Sequence, residues 1–235
     1  MQALILASGT GSRLKPLTEN LHKSLIKIGE KEILARLLET LISHKISDII
    51  ITTGHLASQI MDFTSKNFST ANIQFVHSDK YDCTNYIYSM WKAKKVIYND
   101  LIILHSDLLF EPAIIEKLLN NEKSGVLIKN SLGYPKKDFK ALIGDNRIKE
   151  ISTKLDSGNL RFCLPVYKLL KKDWDLWITN IENYINQNKV TNYAEDALNE
   201  ILHQVVLEPV YFHEELAMEI DDFEDYDLAQ QLISD

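Results

Sequence analysis

Two glycines and two cations stand close together near the start of the chain: Gly9 and Gly11 follow an apolar run, and Arg13 and Lys23 follow the glycines. Such a loop lets backbone N–H groups approach an anion while side-chain cations offset phosphate charge. Arg13 offers a planar fork for two phosphate oxygens, and Lys23 a compact charge that can follow negative charge as it develops. Neither common nucleotide fingerprint is present. Leu14 takes the place of the third glycine of a dinucleotide-binding loop, and His22, not glycine, precedes Lys23-Ser24. Two acids lie much further along. Asp107 follows the apolar run 101–105, and Asp221 sits in Glu219-Ile220-Asp221-Asp222 ahead of a closing helix. Taken alone, the first caps a turn and the second favours a helix start; taken with the loop, a carboxylate at a strand end suits a hard divalent ion.

The elements that must position these residues read as an α/β layer. Residues 2–7 form a short apolar strand, 31–43 an amphipathic helix, 48–52 a second strand, 55–66 a helix and 73–77 a third strand. Helical spacing returns over 87–95, 101–105 is a central strand, and 112–119 a short helix. From Gly125 the text changes to short strands at 125–129, 139–143, 148–152 and 160–165, with turns at Gly133-Tyr134-Pro135, Gly144-Asp145-Asn146 and Asp156-Ser157-Gly158. This stretch reads as an inserted hairpin region over the binding crevice. Helices at 174–187 and 193–203, a strand at 205–210 and a helix at 225–233 complete the chain.

With 235 residues, 45% of them hydrophobic, and no internal repeat or linker rich in Pro, Gly or Ser, a single domain over 1–235 is expected. Within it, roughly 1–125 would be the nucleotide-binding half and 126–235 the acceptor-binding and closing half. A net charge of -7 argues against a broad nucleic-acid surface and leaves room for a local cationic pocket. Cys83 and Cys163 have no metal-ligand spacing and form no disulfide framework, and no segment resembles a signal peptide or a membrane span, so a cytoplasmic location is expected.

Leu6-Ala7-Ser8-Gly9-Thr10-Gly11-Ser12-Arg13-Leu14, then Pro16-Leu17-Thr18, Lys23-Ser24-Leu25 and Gly29-Glu30-Lys31, closely resembles the signature of the nucleotidyltransferases. That family makes sugar nucleotides and related activated compounds from a nucleoside triphosphate and a phosphate monoester. Two departures stand out: His22 replaces the usual proline, which should loosen the loop, and His105-Ser106-Asp107 replaces the usual Gly-Asp. The block Asn85-Tyr86-Ile87-Tyr88-Ser89-Met90-Trp91 is similar to that of members loading CMP onto phosphocholine, 2-aminoethylphosphonate or phosphoglutamine.

The resemblance implies a Rossmann-like nucleotidyltransferase fold, with a mixed, mostly parallel sheet flanked by helices. It implies transfer of CMP from CTP, with Mg²⁺ held by Asp107 and Asp221, Arg13 on the β,γ-phosphates and Lys23 beside the reacting phosphoryl group. The nucleotide would meet Leu6, Ala7, Ser8, Gly9, Thr10 and Gly11 together with Asp82 and Asn85. Ser89, Lys140 and Arg161, with Tyr193, Glu195 and Asp196, would face the acceptor, while Lys136 and Lys137 read as solvated charge. A quaternary ammonium would want a ring cage, for which Tyr86, Trp91, Tyr134, Phe139 and Tyr167 are available; Arg161 would suit a carboxylate instead. The expected partners are small molecules, in a monomer or homodimer serving surface-polysaccharide decoration. A hexose-1-phosphate nucleotidyltransferase and an inactive nucleotide-binding regulator stay open as alternatives.

Overall fold

The computed structural model describes residues 1–131 and 137–233. β1 (Gln2–Ala7) is buried on both faces, because its side chains alternate between two cores: Ala3, Ile5 and Ala7 to one side, Leu4 and Leu6 to the other. It runs into the glycine loop and two 3₁₀ turns, Ser12–Leu14 and Lys23–Leu25, separated by a cis Lys15–Pro16 peptide. A small hairpin, β2 (Lys27–Ile28) with β3 (Lys31–Glu32), precedes α1 (Ile33–Ser43), which turns Leu34, Leu37, Leu38 and Leu41 into the first core. β4 (Asp48–Thr53), α2 (Ala57–Asn67) and β5 (Asn72–His77) continue the α/β alternation, and α3 (Tyr86–Ala93) leads to β6 (Leu101–His105).

β5, β4, β1 and β6 are parallel neighbours, so the ends of β1 and β6 open on the same side. Beyond β6 come the short β7 (Leu108–Phe110), α4 (Ala113–Asn120), β8 (Gly125–Lys129), β9 (Lys140–Gly144), β10 (Arg147–Ser152) and β11 (Leu160–Leu169). β11 pairs antiparallel with β6, β8 and β9, and the β9–β10 hairpin extends that edge of the nine-stranded sheet. The expected end of β11 at Pro165 is wrong; the strand continues because the register with β8 shifts between Leu164 and Tyr167, where the missing proline N–H breaks no ladder.

α5 (Lys171–Asn186) buries Trp174 and Trp177 in the second core, followed by α6 (Ala194–Asn199). β12 (Glu208–Phe212) pairs parallel with β8, and β13 (Ala217–Glu219) pairs antiparallel with β7, with Glu219 opposite Leu108. α7 (Phe223–Leu232) closes the fold with an Asp222/Asp225 capping box. Among the described residues no helix is long and apolar enough to cross a membrane. The turn expected at 133–135, with Tyr134 and Lys136, lies outside the described residues.

Candidate active site

The glycine loop and the ends of β1, β6 and β13 surround a cleft of about 380 Å³. Gly11 has φ near +63°, a conformation that suits glycine, and a Cβ there would press on Lys23 and Thr18 at 3.1 Å. Thr18 Oγ1 donates to the Gly11 carbonyl at 2.7 Å and ties the turn shut. Gly54 backs the loop from β4; a Cβ there would fall 2.6 Å from the Ser8 carbonyl and from Tyr81. Ser8 is tied to the fold by a buried hydroxyl chain, 2.7 Å to Ser89 and then 3.1 Å to Ser78.

Lys23 stands between the two carboxylates. Its Nζ donates to Asp107 Oδ2 at 2.7 Å and to Asp221 Oδ1 at 2.8 Å. Arg13 reaches Asp221 Oδ1 at 3.0 Å, with its side chain 62% exposed. Burial works against the Lys23 charge, but the charges of Asp107 and Asp221 and the bonds to both outweigh it, lifting its pKa above the ordinary lysine value. For Asp107, burial alone would raise the pKa; the ammonium of Lys23 overcomes this and holds it below the usual carboxylate value. Among the described residues Glu219 makes no ion pair of this kind, though the Lys23 charge pulls weakly on it. Burial, then the charges of Asp107, Asp221 and Asp138, push it well above the carboxylate range. Asp138 is raised to about 6, first by burial and then by neighbouring acids, against the pull of Lys137.

His22 is tied into the loop by hydrogen bonds from both its backbone and its ring. Its backbone N–H donates to Gln59 Oε1 at 2.8 Å, Nε2–H donates to the Ala7 carbonyl at 3.2 Å, and Nδ1 accepts from Ser24 N–H at 3.1 Å. Where the sequence led to the expectation of a looser loop, His22 is held at three points. Burial is the main reason that the imidazole pKa falls to about 4, leaving the ring neutral beside Lys23.

At the other end of the cleft three rings converge. Tyr193 lies 5.1 Å from Phe139 and 6.0 Å from Tyr86, centroid to centroid, and Tyr86 packs edge-on to His105 at 4.6 Å. Of the other rings considered for a cage, Tyr167 is buried in the second core, and Trp91 turns towards Glu182 and Lys94.

Leu6, Ser8, Gly9, Thr10, Gly11 and Asn85 line the cleft, as do Arg13, Lys23, Asp107, Tyr193 and Asp221. Seven other expected site residues do not. Ala7 is buried in the first core, and Asp82 is exposed outside the cleft. Asn85 caps α3 through Tyr86 N–H, so Ser89, one turn on, lies beneath the cleft as the middle of the hydroxyl chain. Lys140 turns its Nζ to the Thr153 carbonyl, and Arg161 folds back on Asn159 and its own strand. Asp196 accepts from Asn192 at 2.8 Å. Glu195, only 1% exposed, takes the hydroxyls of Tyr86 and Tyr167 and so stands behind the ring wall rather than in it. Sequence reasoning missed His105, Lys137, Asp138, Thr153 and Glu219, all of which line the cleft. One signal was available: His105 stands two residues before Asp107 and Glu219 two before Asp221, so each is a neighbour in the chain of an expected metal ligand.

The donors suit a divalent ion. Asp107 Oδ1 is buried without a hydrogen-bond partner, and the Asp107–Asp221 pair already stabilises a cation between its oxygens.

A family model described as nucleotidyl transferase matches residues 2–137. A choline-phosphate cytidylyltransferase of Streptococcus pneumoniae is 35% identical over 111 residues, covering 47% of this chain and 47% of that protein. A CTP:phosphoglutamine cytidylyltransferase of Campylobacter jejuni is 31% identical over 139 residues, 56% of this chain and 53% of that one. The chain spans about half the length of these curated relatives. A solved CTP:phosphocholine cytidylyltransferase structure from Streptococcus pneumoniae superposes with a TM-score of 0.82 over 99% of both chains at 23% identity, a likeness of fold.

Proposed function

The chain belongs to the nucleotidyl transferase family, and from that premise we propose that it is a Mg²⁺-dependent cytidylyltransferase. It moves CMP from CTP to a small phosphorylated or phosphonate amine or amide, such as phosphocholine, phosphoglutamine or 2-aminoethylphosphonate, and releases pyrophosphate. Nucleotidyltransferases of this family typically use a divalent metal. The observation that carries the reading is Lys23 set between Asp107 and Asp221 at the mouth of the glycine loop, since it joins phosphate-binding and metal-binding groups at one point.

In this reading the loop N–H groups and Arg13 hold the β,γ-phosphates and stabilise the leaving pyrophosphate. Lys23 exchanges its carboxylate partners for the reacting phosphoryl oxygens. An ion on Asp107 and Asp221 supplies charge neutralisation and orientation when bound. The acceptor oxygen is already ionised near neutral pH, so positioning does most of the work and no general base is needed. The rings of Tyr86, Phe139 and Tyr193, with the Asp138 carboxylate nearby, support a cationic acceptor headgroup. Residues 1–125 then supply most of the nucleotide contacts, and 126–235, together with Tyr86, most of those to the acceptor, in a cytoplasmic enzyme supplying activated headgroups for surface polysaccharide.

The test is pyrophosphate release with Mg²⁺ and CTP over phosphocholine, phosphoethanolamine, 2-aminoethylphosphonate, phosphoglutamine and glucose 1-phosphate. UTP and dTTP serve as alternative donors. Turnover of CTP with one amine or amide acceptor is the expected result. Turnover confined to the hexose phosphate, or silence across the panel, would overturn the reading.

A further inference from the structure

Lys137 is left over by the chemistry above. In the sequence it reads as solvated charge, and its side chain is 41% exposed, yet its ammonium is held at three points. Nζ donates to Asp222 Oδ2 at 2.7 Å and to Asp225 Oδ1 and Oδ2 at 2.9 and 2.8 Å. Those two acids are the capping box of α7, and Asp225 does more than close the box. Its Oδ2 accepts from Asp222 N–H at 3.2 Å and also from Asp221 N–H at 2.9 Å. One carboxylate therefore joins the backbone of Asp221 to the segment that leads into β9.

On its other side Lys137 adjoins the acceptor end of the cleft. Asp138 and Phe139 follow it directly and both line the cleft, Phe139 as one of the three rings. Phe139 has a further anchor, since its carbonyl accepts from Cys163 N–H of β11 at 3.0 Å. The Asp138 carboxylate has no such tie: among the described residues it makes no hydrogen bond and no salt bridge. Its place is set by its two neighbours, Phe139 held on β11 and Lys137 held on α7.

We propose that Lys137, Asp222 and Asp225 form a clasp of positioning residues that fixes the Asp138 carboxylate, and with it the acceptor headgroup, relative to Asp221. The proposal rests on the cytidylyltransferase reading. Exposed ion pairs add little to folding stability, so the clasp acts through geometry. An acceptor displaced by about 1 Å loses its alignment with the α-phosphorus, which can cost about a hundredfold.

The test reads kinetics with Mg²⁺, CTP and phosphocholine, or with the amine or amide acceptor of the panel that wild type prefers. Lys137→Met should raise the acceptor KM at least about tenfold, with kcat and the CTP KM within about twofold and the urea midpoint unchanged; Lys137→Arg should restore it. The Asp222→Asn/Asp225→Asn double variant keeps oxygens for the cap and for Asp221 N–H but releases Lys137. It should match Lys137→Met, and all three changes together should cost no more than either. A lysine that itself touches substrate would give losses that multiply instead. In the chain without ligands, hydrogen exchange followed by mass spectrometry should quicken at least about threefold in peptides spanning 137–144 and 220–226 of Lys137→Met. Multiplying losses, an unchanged acceptor KM, or exchange equal to wild type in both peptides would overturn the proposal. If wild type turns over no acceptor, the cytidylyltransferase reading fails by itself, and the exchange result decides the clasp.

Discussion

Replacing His22 with glutamine should flatten the acid side of the stability profile. The imidazole is 1% exposed, donates to the Ala7 carbonyl and accepts from Ser24 N–H, so its neutral tautomer is the one the fold needs. In the unfolded chain it takes up a proton near pH 6.5, but in the fold only near about 4, chiefly because burial disfavours the imidazolium. Between those values the unfolded state binds more protons, and stability therefore rises with pH across the window and falls as pH drops through it. At roughly 1.36 kcal/mol per pH unit, the His22 contribution lost on going from pH 7 to below pH 4 is about 3 kcal/mol, with about 2 kcal/mol already gone by pH 5. Urea unfolding followed by fluorescence of the buried Trp174 and Trp177 at a series of pH values would measure it in wild type and His22→Gln. Carboxylates common to both proteins cancel in the difference. Wild type should be the more stable at pH 7, and its advantage should shrink by about 3 kcal/mol towards pH 4. If the two profiles fall in parallel, the buried neutral imidazole is not the source of acid sensitivity and the reasoning fails.

Two further outcomes follow from the same contacts. Asp107→Asn should fold normally yet lose roughly a hundred- to a thousandfold in turnover, the ~2.7–4 kcal/mol expected when one transition-state charge contact is removed; near-native rates with Mg²⁺ would remove Asp107 from the metal assignment. Glu195→Leu should lower the urea midpoint, because Tyr167 is left with a buried hydroxyl and no acceptor, at about 1–3 kcal/mol; an unchanged midpoint would mean that the two-tyrosine carboxylate contributes nothing.

The glycine loop was legible in the text because everything that shapes it is local: an apolar strand, two glycines and a proline within sixteen residues. β1, β4 and β6 were equally readable, as apolar runs without helical spacing. β7 and β13 were not, since each has three residues and exists only through pairing with the other across about half the chain. That pairing is what brings Asp221 to Asp107. The meeting of Lys23 with them spans 84 and 198 residues, a distance that no periodicity reports. Glu195 shows the converse difficulty. As an acid in the first turn of α6 it looks solvated, and only the packing of Tyr86 and Tyr167 against it turns it into a buried strut.

The placement of Lys23 says more about the site than its match to a signature does. Desolvation alone would make the buried ammonium easier to discharge, yet its pKa stands above the ordinary value. Asp107 and Asp221 therefore stabilise a positive charge between them by more than the burial penalty opposing it. The same potential favours any cation that enters, and a divalent ion most of all, since the attraction grows with charge while the carboxylates are already in place. An ion taking over those oxygens would leave Lys23 without its partners, next to the glycine loop whose N–H groups favour an anion. On the proposed reading, occupation of the carboxylates and delivery of the lysine to phosphate would be one exchange of partners. It explains why a chain of net charge -7 keeps its buried cation among acids rather than at an exposed phosphate patch.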